Sequence, residues 1–283
     1  MAMKPSVIAP NSDLSAIAFG RPDGIVGVNS VMPGGRQDTI VPNLRLHTGA
    51  VTRVGFSPDD RQVCSAGKDG LGTSLIIDEM RGQQLRGHQG PVNDIALSGR
   101  NTAITGSNDF TARIWNVLDG KALHNLKCPD IVRSVSMSAR GETAAATYAA
   151  KILIIDAGDG KTLHEIPVDH PILQLAYSRD GKMLASGSDH GKVSVWDLSK
   201  AGDIIKVPCM HVFQHRSAIS ALAFRRDGSE LAAGDRKGQA MGYNMETGGG
   251  KSIALPDGRA TEILSIGFDA AGQSLVFYKA PSA

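Results

Sequence analysis

A short signature that recurs along the chain at nearly constant spacing constrains the fold more than any other feature. Two apolar residues followed by Asn or Asp occur at positions ending in Val28-Asn29, Ile77-Asp78, Trp115-Asn116, Ile155-Asp156, Trp196-Asp197 and Tyr243-Asn244. The successive spacings are 49, 38, 40, 41 and 47 residues, with a mean of 43. This is the period of a four-stranded propeller blade, so the chain is predicted to repeat one small β unit.

A second pattern precedes each signature and consists of a short apolar strand, a turn and another short apolar strand. It occupies residues 51–67, 92–106, 132–146, 172–187 and 219–234, and residues 6–20 and 263–277 fit it loosely. Apolar residues alternate with period two, which predicts strands. The turns carry Asp-Asp, Asp-Gly, Arg-Gly and Gly-Arg pairs, which favour tight hairpins.

Together these two patterns resemble the WD40 family over nearly the whole chain. The segments VSVWDL (193–198) and ARIWNV (112–117) are nearest to the repeat ends of that family. The resemblance implies an all-β fold, a single-domain β-propeller of four-stranded antiparallel blades. The expected repeats lie at about 5–46, 47–87, 88–127, 128–167, 168–210 and 211–255, with a half repeat at 256–283.

Six and a half repeats leave the closure of the ring open to three interpretations. A seven-bladed ring with an incomplete last blade is the one we favour. Alternatively, the N-terminal strands combine with the C-terminal pair and close a six-bladed ring. In the third interpretation the ring is open and a partner chain donates the missing strands, because an exposed sheet edge is a site for strand addition.

The WD40 resemblance also implies a buried hydrogen-bonded network of His, Ser or Thr, Asp and Trp within a blade, since buried polar groups need partners. The complete set is present once, as His88, Thr105, Asp109 and Trp115. Partial sets are His47, Ser65 and Asp69 with Ile77 in the Trp position; Ser186 and Trp196 with His190 in the Asp position; and His215 with Tyr243 and Asp235. In the 128–167 repeat, Cys128 stands in the His position. Because these residues recur with the blade period, we interpret them as structural.

Three segments resemble reactive or ligand-binding motifs but lack the context that the chemistry needs. Gly248 to Ser252 ends like a phosphate-binding loop, yet Met245 occupies the place of the first glycine. His211 and His215 have the spacing of a helical zinc pair, but their surroundings predict a strand. Ser188-Asp189-His190 are adjacent, so they cannot form a nucleophile–base–orienter chain. We therefore predict no catalytic residues, no cofactor and no metal.

Charge and composition narrow the function classes further. The net charge is +2, which gives no support for direct nucleic-acid binding. Most of the dispersed basic residues are expected to be solvated turn residues, and the set comprises Arg53, Arg133, Arg140, Arg179, Arg225, Arg226, Arg236 and Lys237. Arg225-Arg226 and Arg236-Lys237 fall in one repeat, where a local positive patch would suit an acidic or phosphorylated peptide.

The same sequence features bear on location. Cys64, Cys128 and Cys209 are far apart in sequence, which favours free thiols in a reducing compartment. No apolar run is long enough for membrane insertion, and the N-terminus does not resemble a signal peptide. We predict a cytoplasmic protein, with the nucleus as the alternative.

Partner binding is expected on one rim of the ring, where the loops that enter each blade meet the turns before each third strand. The candidate residues are Thr52, Lys68, Asn93, Asn108, Arg133, Tyr148, Asp189, His190, Ser220 and Arg236. This mixed polar set suits a protein or peptide surface better than an apolar small molecule. The insertion at 30–40 is the most unusual loop.

The main functional hypothesis is a non-enzymatic scaffold or adaptor subunit that binds other proteins within a multiprotein complex. One alternative is a subunit of a coat- or pore-type assembly whose open propeller is completed by a partner's strands. Another is a subunit of an RNA-processing or translation-associated complex. A propeller enzyme is disfavoured, because no acid–base or metal constellation is found.

Overall fold

Short antiparallel strands account for all regular structure in the computed structural model, which describes residues 6–31, 38–199, 207–255, 261–269 and 271–279. The 26 strands form seven sheets, which we number as blades 1 to 7 in chain order. Blades 1 to 6 have four strands and blade 7 has two. Within every blade each strand pairs with the next strand in sequence, so each blade is a simple meander.

The first four blades are built from strands of similar, short length. Blade 1 contains β1 (Val7–Pro10), β2 (Ala16–Gly20), β3 (Ile25–Ser30) and β4 (Thr39–Arg45). Blade 2 contains β5 (Val51–Phe56), β6 (Gln62–Gly67), β7 (Gly72–Ile76) and β8 (Arg81–Leu85). Blade 3 contains β9 (Val92–Leu97), β10 (Thr102–Ser107), β11 (Thr111–Asn116) and β12 (Ala122–Lys127). Blade 4 contains β13 (Val132–Met137), β14 (Thr143–Tyr148), β15 (Lys151–Asp156) and β16 (Thr162–Pro167).

The last three blades differ more in their outer strands. Blade 5 contains β17 (Ile172–Tyr177), β18 (Met183–Ser188), β19 (Lys192–Asp197) and β20 (Cys209–Gln214). Blade 6 contains β21 (Ile219–Phe224), β22 (Glu230–Asp235), β23 (Ala240–Asn244) and β24 (Gly250–Ser252). Blade 7 contains β25 (Glu262–Phe268) and β26 (Ser274–Lys279).

The first strands of the seven blades form a ring around a central channel. Each of them contacts the first strand of the next blade, and β25 contacts β1 in turn. Residues from all seven of these strands line the channel. The molecule is therefore a seven-bladed β-propeller whose last blade has two strands among the described residues. The six-bladed alternative is wrong, because β1 to β4 pair with one another and leave β25 and β26 as a separate sheet.

The Asn or Asp of the recurring signature has a local structural explanation. In blades 3 to 6 it lies at the end of the third strand, where its side chain accepts a hydrogen bond from a backbone N–H two residues further on. Asn116 Oδ1 accepts from Leu118 N at 2.9 Å, Asp156 Oδ1 from Gly158 N at 2.7 Å, and Asn244 Oδ1 from Glu246 N at 3.0 Å. The signature is thus the turn that leads into the outer strand.

The hydrophobic core lies between the faces of neighbouring blades. One cluster joins Ile104 and Ile114 of blade 3 to Val132 and Val135 of blade 4. Close approach is possible where a glycine lies near the end of the second strand, as in blades 3, 5 and 6. A Cβ added at Gly106 would lie 2.6 Å from Val132, the first residue of the next inner strand. This contact explains the glycine that ends the strand–turn–strand pattern in blade 3, and Gly187 and Gly234 make the same contact in blades 5 and 6.

Several segments of interest in the sequence fall outside the described residues. They are residues 32–37 of the 30–40 insertion, and residues 256–260, 270 and 280–283 of the half repeat. No helix among the described residues is long and apolar enough to cross a membrane.

Candidate functional site

In blade 3, the four predicted network residues lie within hydrogen-bond distance of one another. Trp115 Nε1 donates to Thr105 Oγ1 at 2.8 Å, and the same hydroxyl lies 2.7 Å from His88 Nε2. His88 Nδ1 lies 2.9 Å from Asp109 Oδ2. The chain is satisfied when Thr105 donates to Nε2 and the Nδ1–H of His88 donates to the carboxylate. It ties the entry loop, the second strand and the third strand of the blade together.

The electrostatics of this network favour a neutral histidine beside a charged carboxylate. Burial lowers the pKa of His88, and the neighbouring Asp109 only partly opposes this. Burial also raises the pKa of Asp109, but hydrogen bonds from Thr111, the Gln89 N–H and His88 outweigh it and lower that pKa to about 2. All the polar groups of this network are hydrogen-bonded within the blade. The network therefore stabilises the blade, and none of its groups is available to react.

Blade 2 contains a similar arrangement without tryptophan. His47 Nε2 lies 2.7 Å from Ser65 Oγ, and His47 Nδ1 lies 3.0 Å from Asp69 Oδ1. Ser65 Oγ finds a further partner in Thr73 Oγ1 at 2.6 Å, where blade 3 uses the indole. Ile77, in the Trp position, packs against an adjacent apolar cluster.

In blade 6 the histidine has a different partner. His215 Nε2 lies 2.9 Å from the Tyr243 hydroxyl, but His215 Nδ1 is 3.8 Å from Asp235 Oδ2. Both of these last atoms are buried and have no hydrogen-bond partner. Asp235 lies at the end of β22, whereas Asp109 lies in the turn after β10, and this shift in position opens the gap.

Blades 4 and 5 depend more on apolar packing. In blade 5, Trp196 Nε1 donates to Ser186 Oγ at 3.0 Å without a histidine. His190 stays on the surface, where its Nδ1 lies 2.7 Å from Asp189 Oδ1. In blade 4, Cys128 is buried in the cluster that joins blades 3 and 4. Burial raises the pKa of its thiol to about 11, so this sulfur remains protonated.

Three of the predicted rim residues form bonds between neighbouring blades. Thr52 Oγ1 donates to Val92 O at 2.6 Å, Asn93 Nδ2 donates to Val132 O at 2.9 Å, and Ser220 Oγ donates to Ile263 O at 2.6 Å. Each bond reaches from one inner strand to the beginning of the next, at Val92, Val132 and Ile263. These side chains link neighbouring blades and are partly exposed, and their role as partner-binding residues stays a prediction.

The remaining predicted rim residues differ in exposure. Tyr148 is 8% exposed and packs in the core cluster between blades 3 and 4, so it does not belong to the rim surface. Asp189 is partly exposed. Five residues are exposed at the blade ends where chains enter, and we refer to this end of the ring as the entry rim. They are Lys68, Asn108, Arg133, His190 and Arg236.

A chain of polar contacts on the channel wall was not anticipated from the sequence. Arg53 Nε lies 3.1 Å from Asp94 Oδ1, and Arg53 Nη2 donates to Gln174 Oε1 at 3.1 Å. Asp94 Oδ2 in turn accepts from Ser134 Oγ at 2.8 Å. These residues occupy the same position in the inner strands of blades 2 to 5, about one repeat apart. Arg53 is therefore a channel residue, unlike the solvated turn residues that most of the dispersed basic residues are expected to be.

Comparison with known sequences identifies the family. A sequence model described as "WD domain, G-beta repeat" matches residues 39–71, 81–116 and 160–197. The matches fall in blades 1 to 5, and their last two ends coincide with the signatures Trp115-Asn116 and Trp196-Asp197. The chain belongs to the WD40-repeat family.

Several curated proteins are similar to this WD40 propeller over part of their length. Apoptotic protease-activating factor 1 of Rattus norvegicus is 26% identical over 195 residues, which cover 66% of this chain and 15% of the relative. Eukaryotic translation initiation factor 3 subunit I of Eremothecium gossypii is 27% identical over 188 residues, covering 58% of this chain and 54% of the relative. Small ribosomal subunit protein RACK1 of Drosophila melanogaster is 29% identical over 170 residues, covering 54% of this chain and 52% of the relative. The chain thus spans about half the length of two of these relatives and a smaller part of the third.

The positive patch predicted for blade 6 of the WD40 propeller does not form. Arg225 and Arg226 lie in the turn between β21 and β22, whereas Arg236 and Lys237 lie in the turn after β22. A six-residue strand of roughly 20 Å separates the two pairs. They therefore face opposite ends of the ring. Arg236 lies on the entry rim, where its Nε is 3.9 Å from Glu262 Oε1 of blade 7.

The other segments that resemble chemical motifs have ordinary structural environments. Gly250 to Ser252 forms the outer strand β24, with no helix after it among the described residues. His211 Nε2 donates to Met245 O at 2.9 Å from an outer strand, and His215 is buried in its own blade.

One group of potential metal ligands was missed in the sequence because its histidines are 20 residues apart. The ligand atoms of His170, Asp189 and His190 lie within 4.8 Å of one another. The two imidazole rings are stacked, with centroids 4.1 Å apart, and Asp189 already pairs with His190.

Proposed function

We propose that this WD40 propeller is a non-enzymatic scaffold or adaptor subunit that binds other proteins through its entry rim. This proposal rests on the difference between two sets of polar side chains, those that are buried and hydrogen-bonded within the blades and those that are exposed on the entry rim. The polar networks of blades 2 and 3 are buried and internally paired, while Lys68, Asn108, Arg133 and Arg236 project from several blades of one rigid ring. Loops held by a rigid framework are the usual site of binding in such folds.

The arrangement of the reactive residue types favours binding over catalysis. Within the described part of the chain, each His–Asp pair that is buried belongs to a repeated blade network rather than to a single cleft. The buried cysteine thiols, Cys64 and Cys128, have raised pKa values because of burial, which disfavours the nucleophilic thiolate.

The relatives support the same proposal at the level of assemblies. One is named as a subunit of translation initiation factor 3, another as a protein of the small ribosomal subunit, and the third as an apoptotic protease-activating factor. We extend to this chain only the role of a subunit among protein partners. A cytoplasmic location, with the nucleus as the alternative, belongs to the proposal as well.

The proposal can be tested by quantitative affinity capture of partners with a rim variant. We expect Lys68→Ala combined with Arg133→Ala to lose partners that the wild-type chain retains, because both side chains are exposed on the entry rim and lack ion-pair partners among the described residues. Captured proteins are measured by mass spectrometry with isotope labels.

Lys121→Ala provides the matched control, since Lys121 is exposed in a turn at the opposite end of blade 3. If the rim variant and the wild-type chain retain the same partners at the same levels, the entry rim is not the binding surface. Equal losses with the Lys121 variant would point to general charge effects instead.

A second candidate role is favoured by blade 7. Its outer strand β26 has no strand partner on its free edge among the described residues, whereas the six other blades each have two further strands. Such an edge offers backbone N–H and C=O groups to an incoming strand. In this role a partner protein completes the blade, as in a coat- or pore-type assembly.

Mass photometry of the purified chain distinguishes the two roles. A stable monomer with normal unfolding favours the adaptor, because an obligate strand donor would be required for stability in the other case. Aggregation that is relieved only when a partner co-purifies would favour completion of blade 7 by that partner.

A further inference from the structure

The end of the ring opposite the entry rim carries a recess at the mouth of the central channel, and binding through the entry rim does not involve it. We refer to this end, where the first and second strands of each blade are joined, as the hairpin rim. The recess has a volume of about 380 Å³, and turns from blades 2 to 6 line it. Three arginines from adjacent blades contribute to its wall: Arg140 of blade 4, Arg179 of blade 5 and Arg226 of blade 6.

These three guanidinium groups lack partners within the described part of the chain. All three residues are exposed, and none has an ion pair or a side-chain hydrogen bond there. Arg225, beside Arg226, behaves differently, since its Nε lies 3.6 Å from Asp227 Oδ2. Arg140, Arg179 and Arg226 therefore hold three positive charges over one recess with their N–H donors available.

The recess is not uniformly positive, because two carboxylates also line it. Asp59 Oδ1 accepts from Ser57 Oγ at 2.6 Å, and Asp180 Oδ1 accepts from Ser178 Oγ at 2.7 Å, so both are held in their turns. Hydrogen bonds from Ser178 and Lys182 outweigh burial and lower the pKa of Asp180, which keeps it charged. A ligand must place negative charge at the arginines and avoid it at these two aspartates.

We propose that this recess binds the phosphate of a phosphorylated serine or threonine in a segment of a partner protein. A phosphate monoester carries nearly two negative charges and three acceptor oxygens, which match guanidinium groups from several sides. Basic residues beside the phosphate would face Asp59 and Asp180. The recess thus selects a single anionic group within a segment of mixed charge.

The carboxylates argue against a nucleic acid as the occupant. A nucleic-acid strand repeats its phosphates along the backbone, so further phosphates would lie against Asp59 or Asp180. A free phosphate ion shares the chemistry of the phosphorylated side chain but gains nothing from contacts on either side of it. The two sources are separated in the experiment by competition.

The test uses immobilised pools of short degenerate peptides with a central phosphoserine, and the same pools without phosphate. We expect the purified chain to bind the phosphorylated pool in preference, as measured by biolayer interferometry. Arg179→Gln and Arg226→Gln should each weaken this binding by about tenfold, since each removes a charge-assisted contact to the phosphate. Inorganic phosphate should compete only at much higher concentration than a soluble phosphopeptide.

Arg100→Gln is the matched control, because Arg100 is an exposed turn residue of blade 3 that does not line the recess. It should leave binding unchanged, and the unfolding midpoints of all three variants should equal that of the wild-type chain. The proposal is overturned if the two pools bind equally, if Arg100→Gln weakens binding as much as Arg179→Gln, or if inorganic phosphate competes as well as the phosphopeptide. Tighter, arginine-dependent binding of a single-stranded RNA oligonucleotide would also overturn it.

Discussion

His88 links three parts of its blade through a side chain that has no solvent exposure. Its two ring nitrogens have different partners, a hydroxyl on the second strand and a carboxylate in the following turn. In a reactive histidine, at least one nitrogen would face a substrate. In this blade both are occupied within the protein, so the residue acts on stability.

Replacing this histidine should therefore destabilise the protein without removing partner binding. His88→Ala leaves Thr105 and Asp109 without their buried partner, and we expect the free energy of unfolding to fall by about 2–4 kcal/mol. Urea denaturation followed by tryptophan fluorescence measures this. His124→Ala, on the outer strand β12, should change stability much less. Loss of partner binding with unchanged stability would contradict the structural role.

The histidine networks also predict the direction of the pH dependence. Burial lowers the pKa of both His88 and His215 below the ordinary value of 6.5. The unfolded chain therefore binds these protons more tightly, so stability is complete above pH 6.5 and decreases as the pH falls below it. The free energy of unfolding should decrease from about pH 7.5 to about pH 5.5 at constant ionic strength. A double variant, His88→Gln with His215→Gln, should have a flatter profile, and an equal slope in both proteins would refute this assignment.

At the residue scale, sequence patterns predict which types of residue lie close together. They are less successful in predicting the hydrogen bonds between those residues. The repeat pattern predicted that four residues lie close together, because each occupies a fixed position in a repeat: His88, Thr105, Asp109 and Trp115. Asp235 has the expected type but lies at the strand end, so it misses His215 Nδ1. The contacts of Thr52 with the next blade join residues 40 apart, a separation that a pattern within one repeat cannot reveal.

At the scale of strands and blades, close contact between several neighbouring blades depends on a glycine near the end of the second strand. Gly234 at the end of β22 packs directly against Ile263, the first buried residue of blade 7. A methyl group at this position would overlap Ile263, which has no exposed surface. Gly187 approaches Ile219 in the same way, and an added Cβ would lie 2.5 Å from it.

Gly234→Ala should therefore push blade 7 away from blade 6. We expect the free energy of unfolding to decrease by about 1–3 kcal/mol, the usual effect of overpacking. Gly55→Ala is the control, since its added Cβ would make an ordinary contact of 3.5 Å with Cys64 Sγ. Calorimetry or urea denaturation of both variants provides the measurement. Similar stability for the two would show that blade 7 adapts without strain.

The elements themselves follow from period-two alternation and turn residues, so their number and order could be predicted. The direction of each side chain relative to the ring could not. Arg226 and Arg236 are near neighbours in sequence, yet one strand between them carries them to opposite rims. Arg226 instead lines the same recess as Arg179 and Arg140 of other blades, because equivalent turns lie around the mouth of the channel.

For the molecule as a whole, blade 7 is the part with the fewest supporting strands. It has two strands, contacts blade 6 and β1 by side-chain packing, and has a free edge among the described residues. Fewer backbone partners lower the free energy needed for local opening.

Amide hydrogen exchange should reveal this difference within one molecule. We expect backbone amides of β25 and β26 to exchange faster than those of β21 and β22, which lie in a complete blade. Mass spectrometry of peptic fragments covering 262–279 and 219–235 compares them directly. Equal protection of the two fragments would indicate that blade 7 is as stable as its neighbours.

The junction between β25 and β1 has a mechanical consequence. Among the described residues, no backbone hydrogen bond joins these strands, and Gly267 packs there against Pro10 and Leu14. A force that pulls β1 and β26 apart would thus separate apolar side-chain contacts before it acts on the backbone hydrogen bonds between paired strands. We therefore expect blade 7 and blade 1 to separate from each other under low force, while the six four-stranded sheets remain intact.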